Sequence, residues 1–201
     1  KEHGLNQQNA LTMYLPNTYE FYWNTNAEEF RDRMLQEYQR FWTPERTAKA
    51  EAQGLNPQEV YTLASIVQKE TAKADERPRV AGVYLNRLQN GWKLDADPTV
   101  IYAVKNSQND FDQVIKRVLY RDLETDSPYN TYKYGGLPPG PIFMPDLSAI
   151  NAVLNPEKHE YYFFVADVSN PGYHLFAKTV AQHNANRRQY IDWINAQGIN
   201  R

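Results

Sequence analysis

Apolar residues recur along this chain at two different periods, and the change of period marks out its elements. From Asn26 to Trp42, Phe30, Met34, Tyr38 and Phe41 fall at helical spacing on one side. Thr43-Pro44 opens a second, short helix that ends at Gly54. Asn56-Pro57-Gln58-Glu59 is a strong helix start. Asn56 caps, Pro57 suits the first helical position, and Glu59 stands where a capping box places its acid. That helix is expected to run to about Ala74. Pro78 opens another, Arg79 to Gln89, stopped by Asn90-Gly91. Asp97-Pro98 marks a turn into the apolar stretch Val100 to Val104, and Phe111 to Tyr120 reads as a further helix. Upstream, Leu11 to Trp23 is aromatic and carries Pro16-Asn17, which predicts a short extended segment with a turn.

The texture changes near Ser127. Tyr129 to Pro145 holds four Pro and three Tyr with little periodicity. A loop this long inside a compact domain is uncommon unless it is functional. A helix from Asp146 to Leu154 follows. Tyr161 to Ala166 is a continuous aromatic and β-branched run, which predicts a buried strand. Tyr173 to Ala177 is a second strand, with Asn170-Pro171-Gly172 as the turn between them. Thr179 with Gln182 starts a last helix that runs through about Ala196. There is no internal repeat. Helices first and a small sheet later predict an α+β fold. The expected organisation is one domain over 1–201, with a helical portion about 26–125, a loop and β-rich portion about 126–178, and a C-terminal helix about 179–197.

Composition narrows the function. Of 201 residues, 41 % are hydrophobic, enough for a real core. The net charge is −2, with 22 basic and 24 acidic residues well mixed. That argues against nucleic acid as a partner, which requires a basic face, and against a polybasic membrane surface. Aromatics reach 13 %, with 15 Tyr. Tyr offers a flat apolar face with a polar tip, which suits sugar rings, although Tyr also fills cores. The absence of Cys excludes disulfides, thiolate metal sites and thiol nucleophiles. No run approaches the length of a membrane span and no signal peptide is evident. The chain begins at Lys1, so a missing targeting segment is no argument for the cytoplasm.

One acid stands out. Val60, Leu63, Val67 and Glu70 are spaced 3, 4, 3, which sets Glu70 on the stripe of a core helix. Gln68 and Lys69 point elsewhere. Three readings of Glu70 compete: a solvated edge residue, a buried acid paired with Arg77, Arg79 or Arg87, or a catalytic acid at the mouth of a cleft. In the last, partial burial raises the carboxyl toward working pH, and the protonated acid donates to a glycosidic oxygen. Most glycosidases use two carboxylates. The candidates for a second are Asp95 and Asp97, although Asp before Pro is also a common turn initiator. His159, His174 and His183 lie in no metal-ligand spacing, so no metal is expected. There is no nucleophile elbow and no phosphate loop, and Ser65 has no evident base.

Seven segments, read together and in order, resemble the YceG-like endolytic murein transglycosylases. They are Leu15-Pro16-Asn17-Thr18-Tyr19; Leu63 to Thr71; Val83 to Leu88; Leu94 to Tyr102; Ser127 to Tyr132; Gly136 to Ile142; and Tyr162 to Val165 with His174 and Phe176. In that family the catalytic acid is the second of an Ile-Val-Glu-Lys-Glu-Thr type segment, which falls on Glu70; the first is replaced by Gln68. The helix turns position 68 about 200° away from 70, so stripe and resemblance select the same residue.

The resemblance implies cleavage of the β-1,4 bond between N-acetylmuramic acid and N-acetylglucosamine without water, with Glu70 as acid and then base, no cofactor, and 1,6-anhydro ends. It further implies peptidoglycan glycan strands as the substrate, cell-wall synthesis enzymes as plausible partners, and an N-terminal membrane helix with a LysM-like region ahead of the catalytic portion. The location implied is the bacterial envelope, anchored in the inner membrane, with the catalytic domain outside the cytoplasm. Substrate contacts are expected from Tyr129, Asn130, Thr131 and Tyr132, from Pro138 on a stiff rim, and from Asp97 and Asn86. Asn86 and Arg87 face the cleft or brace the helix pair, and bracing suits Arg87 better. The rival readings are a hydrolytic muramidase using Glu70 with Asp97, and a non-catalytic peptidoglycan-binding module.

Overall fold

The architecture, seen in a computed structural model that describes residues 5–115 and 117–196, is a helical body with a two-stranded sheet and a last helix laid against it. The helices are α1 (Ala27–Phe41), α2 (Pro44–Ala52), α3 (Pro57–Glu70), α4 (Arg77–Gln89), α5 (Asp97–Gln108), α6 (Tyr120–Leu123), α7 (Leu147–Leu154) and α8 (Val180–Ala196). The strands β1 (Phe163–Ala166) and β2 (His174–Ala177) pair antiparallel, with Phe164 opposite Phe176 and Ala166 opposite His174. The fold is α+β, as the order of patterns predicts.

Helix α3 is the centre. It starts where its caps dictate: Asn56 Oδ1 accepts the N–H groups of Gln58 and Glu59, and Glu59 returns a carboxylate oxygen to Asn56 N–H. Val60, Tyr61, Leu63, Ala64, Ile66 and Val67 are all fully buried. A helix apolar on every side is one that neighbours surround, and α2, α4, α5 and α7 do so. The helix ends earlier than expected, at Glu70 instead of about Ala74. Thr71 turns extended, and its hydroxyl accepts Lys73 N–H, an alternative to continuing the helix. Glu70 therefore sits on the last helical turn.

Other expectations are adjusted. Asp97-Pro98 is the first turn of α5 rather than a turn into a separate apolar stretch, with Pro98 where its missing N–H costs nothing. Leu11 to Trp23 begins with a 3₁₀ turn, Ala10–Met13, before it extends. No helix forms over the described residues of 111–119; only the four residues Tyr120–Leu123 are helical. Phe111, Val114 and Tyr120 are exposed, and of the three only Phe111 meets a ring, that of Tyr102, so the apolar side that a helix here needed to bury stays largely uncovered. The strands are half-buried rather than buried, because the sheet is covered on one side by α4 aromatic packing and rimmed by α8.

Two contacts hold the sheet in place. Gly82 lets the chain at 157–159 run against α4, since a Cβ there would stand 2.5 Å from Glu157 O. Asn86 donates its amide to His159 O at 2.9 Å and Tyr161 O at 3.0 Å.

Candidate active site

A cleft of ≈ 530 Å³ opens where the C-terminus of α3 meets α4, the 94–97 segment, the sheet and α8. Glu70 lies in it, half-buried. Tyr84 of α4 donates its hydroxyl to Glu70 Oε1 at 2.5 Å. Burial pushes the Glu70 carboxyl up to about 7; the Tyr84 hydrogen bond opposes this, the Asp97 charge adds to it, and Arg87 opposes it. The position at the helix C-terminus acts in the same direction as burial, because the carbonyl end of the helix disfavours an anion. Only Oε1 accepts from Tyr84, so Oε2 is the oxygen left to carry and deliver a proton.

The opposite wall is polar. Tyr132 donates to Asp97 Oδ1 at 2.7 Å, and burial with this hydrogen bond raises the Tyr132 phenol. Arg87 bridges the walls: its Nε donates to Tyr162 O at 2.7 Å, and Nη1 reaches Leu94 O at 2.9 Å and the Asp95 carboxylate at 3.0 Å. Asp95 takes a left-handed backbone, φ 50°, between these holds. The Arg87 guanidinium is thus a brace beside the acid rather than its ion-pair partner. Arg77 pairs with Asp146 and Arg79 with Glu157, so neither neutralises Glu70. Glu70 is thus neither ion-paired with these arginines nor a freely solvated edge residue; it lies in a cleft.

Of the expected substrate contacts, Tyr132 and Asp97 share the cleft with Glu70. The others do not. Asn130 is fully buried, and its amide donates to Leu123 O and Thr125 O. Thr131 is 1 % exposed and shares its hydroxyl with Thr99 and the Ala96 N–H. Tyr129 is buried against the ring of Tyr102, centroids 4.6 Å apart. These three hold the loop so that Tyr132 is presented. Asn86 spends its amide on the sheet segment, as above. Pro138 lines a different groove, of ≈ 590 Å³, at the far end of α3.

Sequence reasoning missed Tyr84, His174, His183 and Tyr190, all of which line the cleft. No spacing rule links Tyr84 on α4 to Glu70 on α3, and although His174 stands in a segment that carries the resemblance, the only ligand role considered for the histidines is metal binding. Gln68 is indeed turned away: its Oε1 accepts Asp146 N–H at 2.6 Å, tying α3 to the start of α7. Among the described residues no group of His, Asp or Glu is arranged to hold a metal, and no helix is long and apolar enough to cross a membrane.

The chain has relatives among known proteins. A protein of Bacillus subtilis named endolytic murein transglycosylase is 41 % identical over 134 residues, 67 % of this chain and 35 % of that relative. One of Streptococcus pneumoniae with the same name is 34 % identical over 178 residues, 88 % of this chain and 31 % of that relative. The chain thus spans about a third of the length of these curated relatives. The crystal structure of a yceG-like protein of Listeria monocytogenes superposes with a TM-score of 0.71 at 35 % identity, covering 87 % of this chain and 54 % of the other. The model of the YceG-like family matches residues 1–189, and the chain belongs to that family.

Proposed function

We propose that this chain is the catalytic portion of a peptidoglycan lytic transglycosylase, with Glu70 as its single acid and base. One observation carries the reading: a carboxyl raised to about 7 at the floor of a cleft, with one oxygen held by Tyr84 and the other free. A group poised near neutral pH exchanges protons in both directions.

The first step moves the Glu70 proton to the glycosidic oxygen as the bond from muramic C1 breaks, freeing the N-acetylglucosamine C4 hydroxyl. Glu70, now a carboxylate, takes the proton of the muramic C6 hydroxyl, and that oxygen bonds to C1. The acid is restored, no water enters, and the product ends in a 1,6-anhydro ring. Charge that develops on the ring in between faces the Asp97 side of the cleft. The names of the relatives support the substrate.

A second reading survives because Asp97 lies in the same cleft. With Asp97 activating a water, the enzyme is a hydrolytic muramidase. Mass spectrometry of digested glycan strands separates the two. Anhydro ends are expected; reducing muramic ends in their place sink the transglycosylase reading. The single-domain organisation, the envelope location outside the cytoplasm, the membrane anchor and the synthesis-enzyme partners remain parts of this proposal.

A further inference from the structure

Beside Glu70 the cleft holds a second built arrangement that the acid–base steps leave unused. Glu76, the residue before α4, is 4 % exposed, yet it caps nothing. Both of its oxygens are spent on one residue: Oε1 accepts His174 N–H at 2.8 Å, and Oε2 lies 2.8 Å from His174 Nδ1. A carboxylate only accepts, so Nδ1 carries the proton; in the tautomer this fixes, Nε2 is left as an acceptor. His174 lines the cleft, and its side chain is 14 % exposed. Among the described residues the enclosed polar atoms without a partner are Trp42 Nε1, Arg77 Nε and His183 Nδ1. His174 Nε2 is not among them and has no protein partner, so it opens to solvent in the cleft.

The surroundings of that nitrogen select its ligand. Phe164 stands edge-on to the His174 ring, centroids 5.2 Å apart, and Val165 and Ala166 continue the same wall. An acceptor set in an apolar wall fits a group that offers an N–H donor with a methyl beside it. A sugar hydroxyl offers the donor without the methyl; an acetamido group offers both.

We propose that the Glu76–His174 pair is the acetamido-recognition element of this cleft, with His174 Nε2 accepting the N–H of an N-acetylated sugar and Phe164 and Ala166 taking its methyl. Glu76 is a positioning residue that acts through the imidazole. The proposal rests on the cleft being the glycan site but not on which group moves the proton.

The test measures binding, by calorimetry on the purified chain carrying Glu70→Gln, with the N-acetylglucosamine hexamer and cellohexaose as probes. The parent is expected to prefer the N-acetylated hexamer. His174→Asn keeps an amide N–H for Glu76, near the place of Nδ1, and removes the acceptor. It is expected to weaken the N-acetylated hexamer about tenfold and to leave cellohexaose within about twofold. Glu76→Gln supplies a second arm. The backbone N–H of His174 fixes the amide oxygen on its side, so the amide NH₂ faces Nδ1 and drives the ring to the other tautomer, with Nε2 a donor. The preference is expected to be lost, and the ¹⁵N shifts of His174 are expected to report the tautomer change. A parent without preference, or a His174→Asn protein that keeps it or loses both ligands equally, overturns the proposal. The two readings fail separately: cleavage by the Glu70→Gln parent sinks the acid–base assignment, and an unchanged preference in His174→Asn sinks this one.

Discussion

The two ends of α3 carry the same residue type to opposite use. At the N-terminus, Glu59 closes a capping box with Asn56 beside the ≈ 590 Å³ groove. At the C-terminus, Glu70 lies under the ≈ 530 Å³ cleft with Tyr84 on one oxygen. The first position places a carboxylate where free N–H groups and the positive end of the helix welcome it. The second places one where burial and the carbonyl end both resist charge. The larger groove is therefore not the one proposed to be reactive. What separates the two is the surroundings each gives its acid.

The sharpest way to break this comparison is to neutralise both acids in turn. Glu70→Gln is expected to lower glycan cleavage by about 10³-fold or more, because the same group is asked for two proton transfers. Its circular dichroism and the cooperativity of its unfolding are expected to stay native. Glu59→Gln keeps a capping-box side chain and is expected to cleave at the parent rate. Equal losses from the two changes, read as kcat/KM on purified strands, would erase the distinction.

The same contrast is expected in stability. The folded value of Glu70, about 7, lies above its ordinary 4.5, so the folded chain binds this proton more tightly than the unfolded one. Folding stability then falls as pH rises from about 4.5 to about 7, and the full penalty stands above that window. Glu70→Gln removes it. The variant is expected to be more stable than the parent at pH 8 by on the order of 2 kcal/mol, with the gap closing below pH 4.5. Urea unfolding of both proteins across that range checks the sign. A gap that is constant with pH contradicts the raised value.

A finer cut removes only the hydrogen bond. Tyr84→Phe keeps the buried ring and deletes the donor to Oε1, which in the native cleft holds the Glu70 value down. The alkaline limb of the pH–rate profile is expected to move to higher pH, and the rate at the optimum to fall about tenfold. A limb that moves to lower pH means that Tyr84 does not act on the carboxyl in this way.

How much of this was legible depends on where each residue's partners lie. The start of α3 was written in four adjacent residues, Asn56 to Glu59, and its cap forms as read. The inward turn of Glu70 was also legible, although the stripe argument was narrower than the fact: α3 is buried on every side from Val60 to Val67, and only on its last turn, where Gln68 faces α7 and Lys69 is exposed, does the face single out position 70. The end of the helix depended on Thr71 and could not be read from periodicity. Tyr129, Asn130 and Thr131 have the chemistry of sugar ligands, but their partners are Tyr102, Leu123, Thr125 and Thr99, which spacing does not disclose. The Glu76–His174 contact joins residues 98 apart in sequence, beyond any local rule.

The smallest expected effect bears most directly on Pro138. Asn56→Ala deletes the acceptor for Gln58 and Glu59 N–H at the quiet end of α3. Loss of such a cap is expected to cost about 1 kcal/mol and, in a chain of this size, to lower the melting temperature by about 2–4 °C. Cleavage by the folded protein is expected to be unchanged, since Asn56 and Glu70 stand fourteen residues, about 20 Å along the helix, apart. Asn56 and Pro138 line the same groove. If the variant binds long strands more weakly while short oligomers bind as before, the glycan path continues from the cleft to that groove, and Pro138 regains the substrate-contacting role that its loop suggested. If long and short strands behave alike, the groove lies off the path and the work of the molecule is confined to the end of α3 where the acid resists its charge.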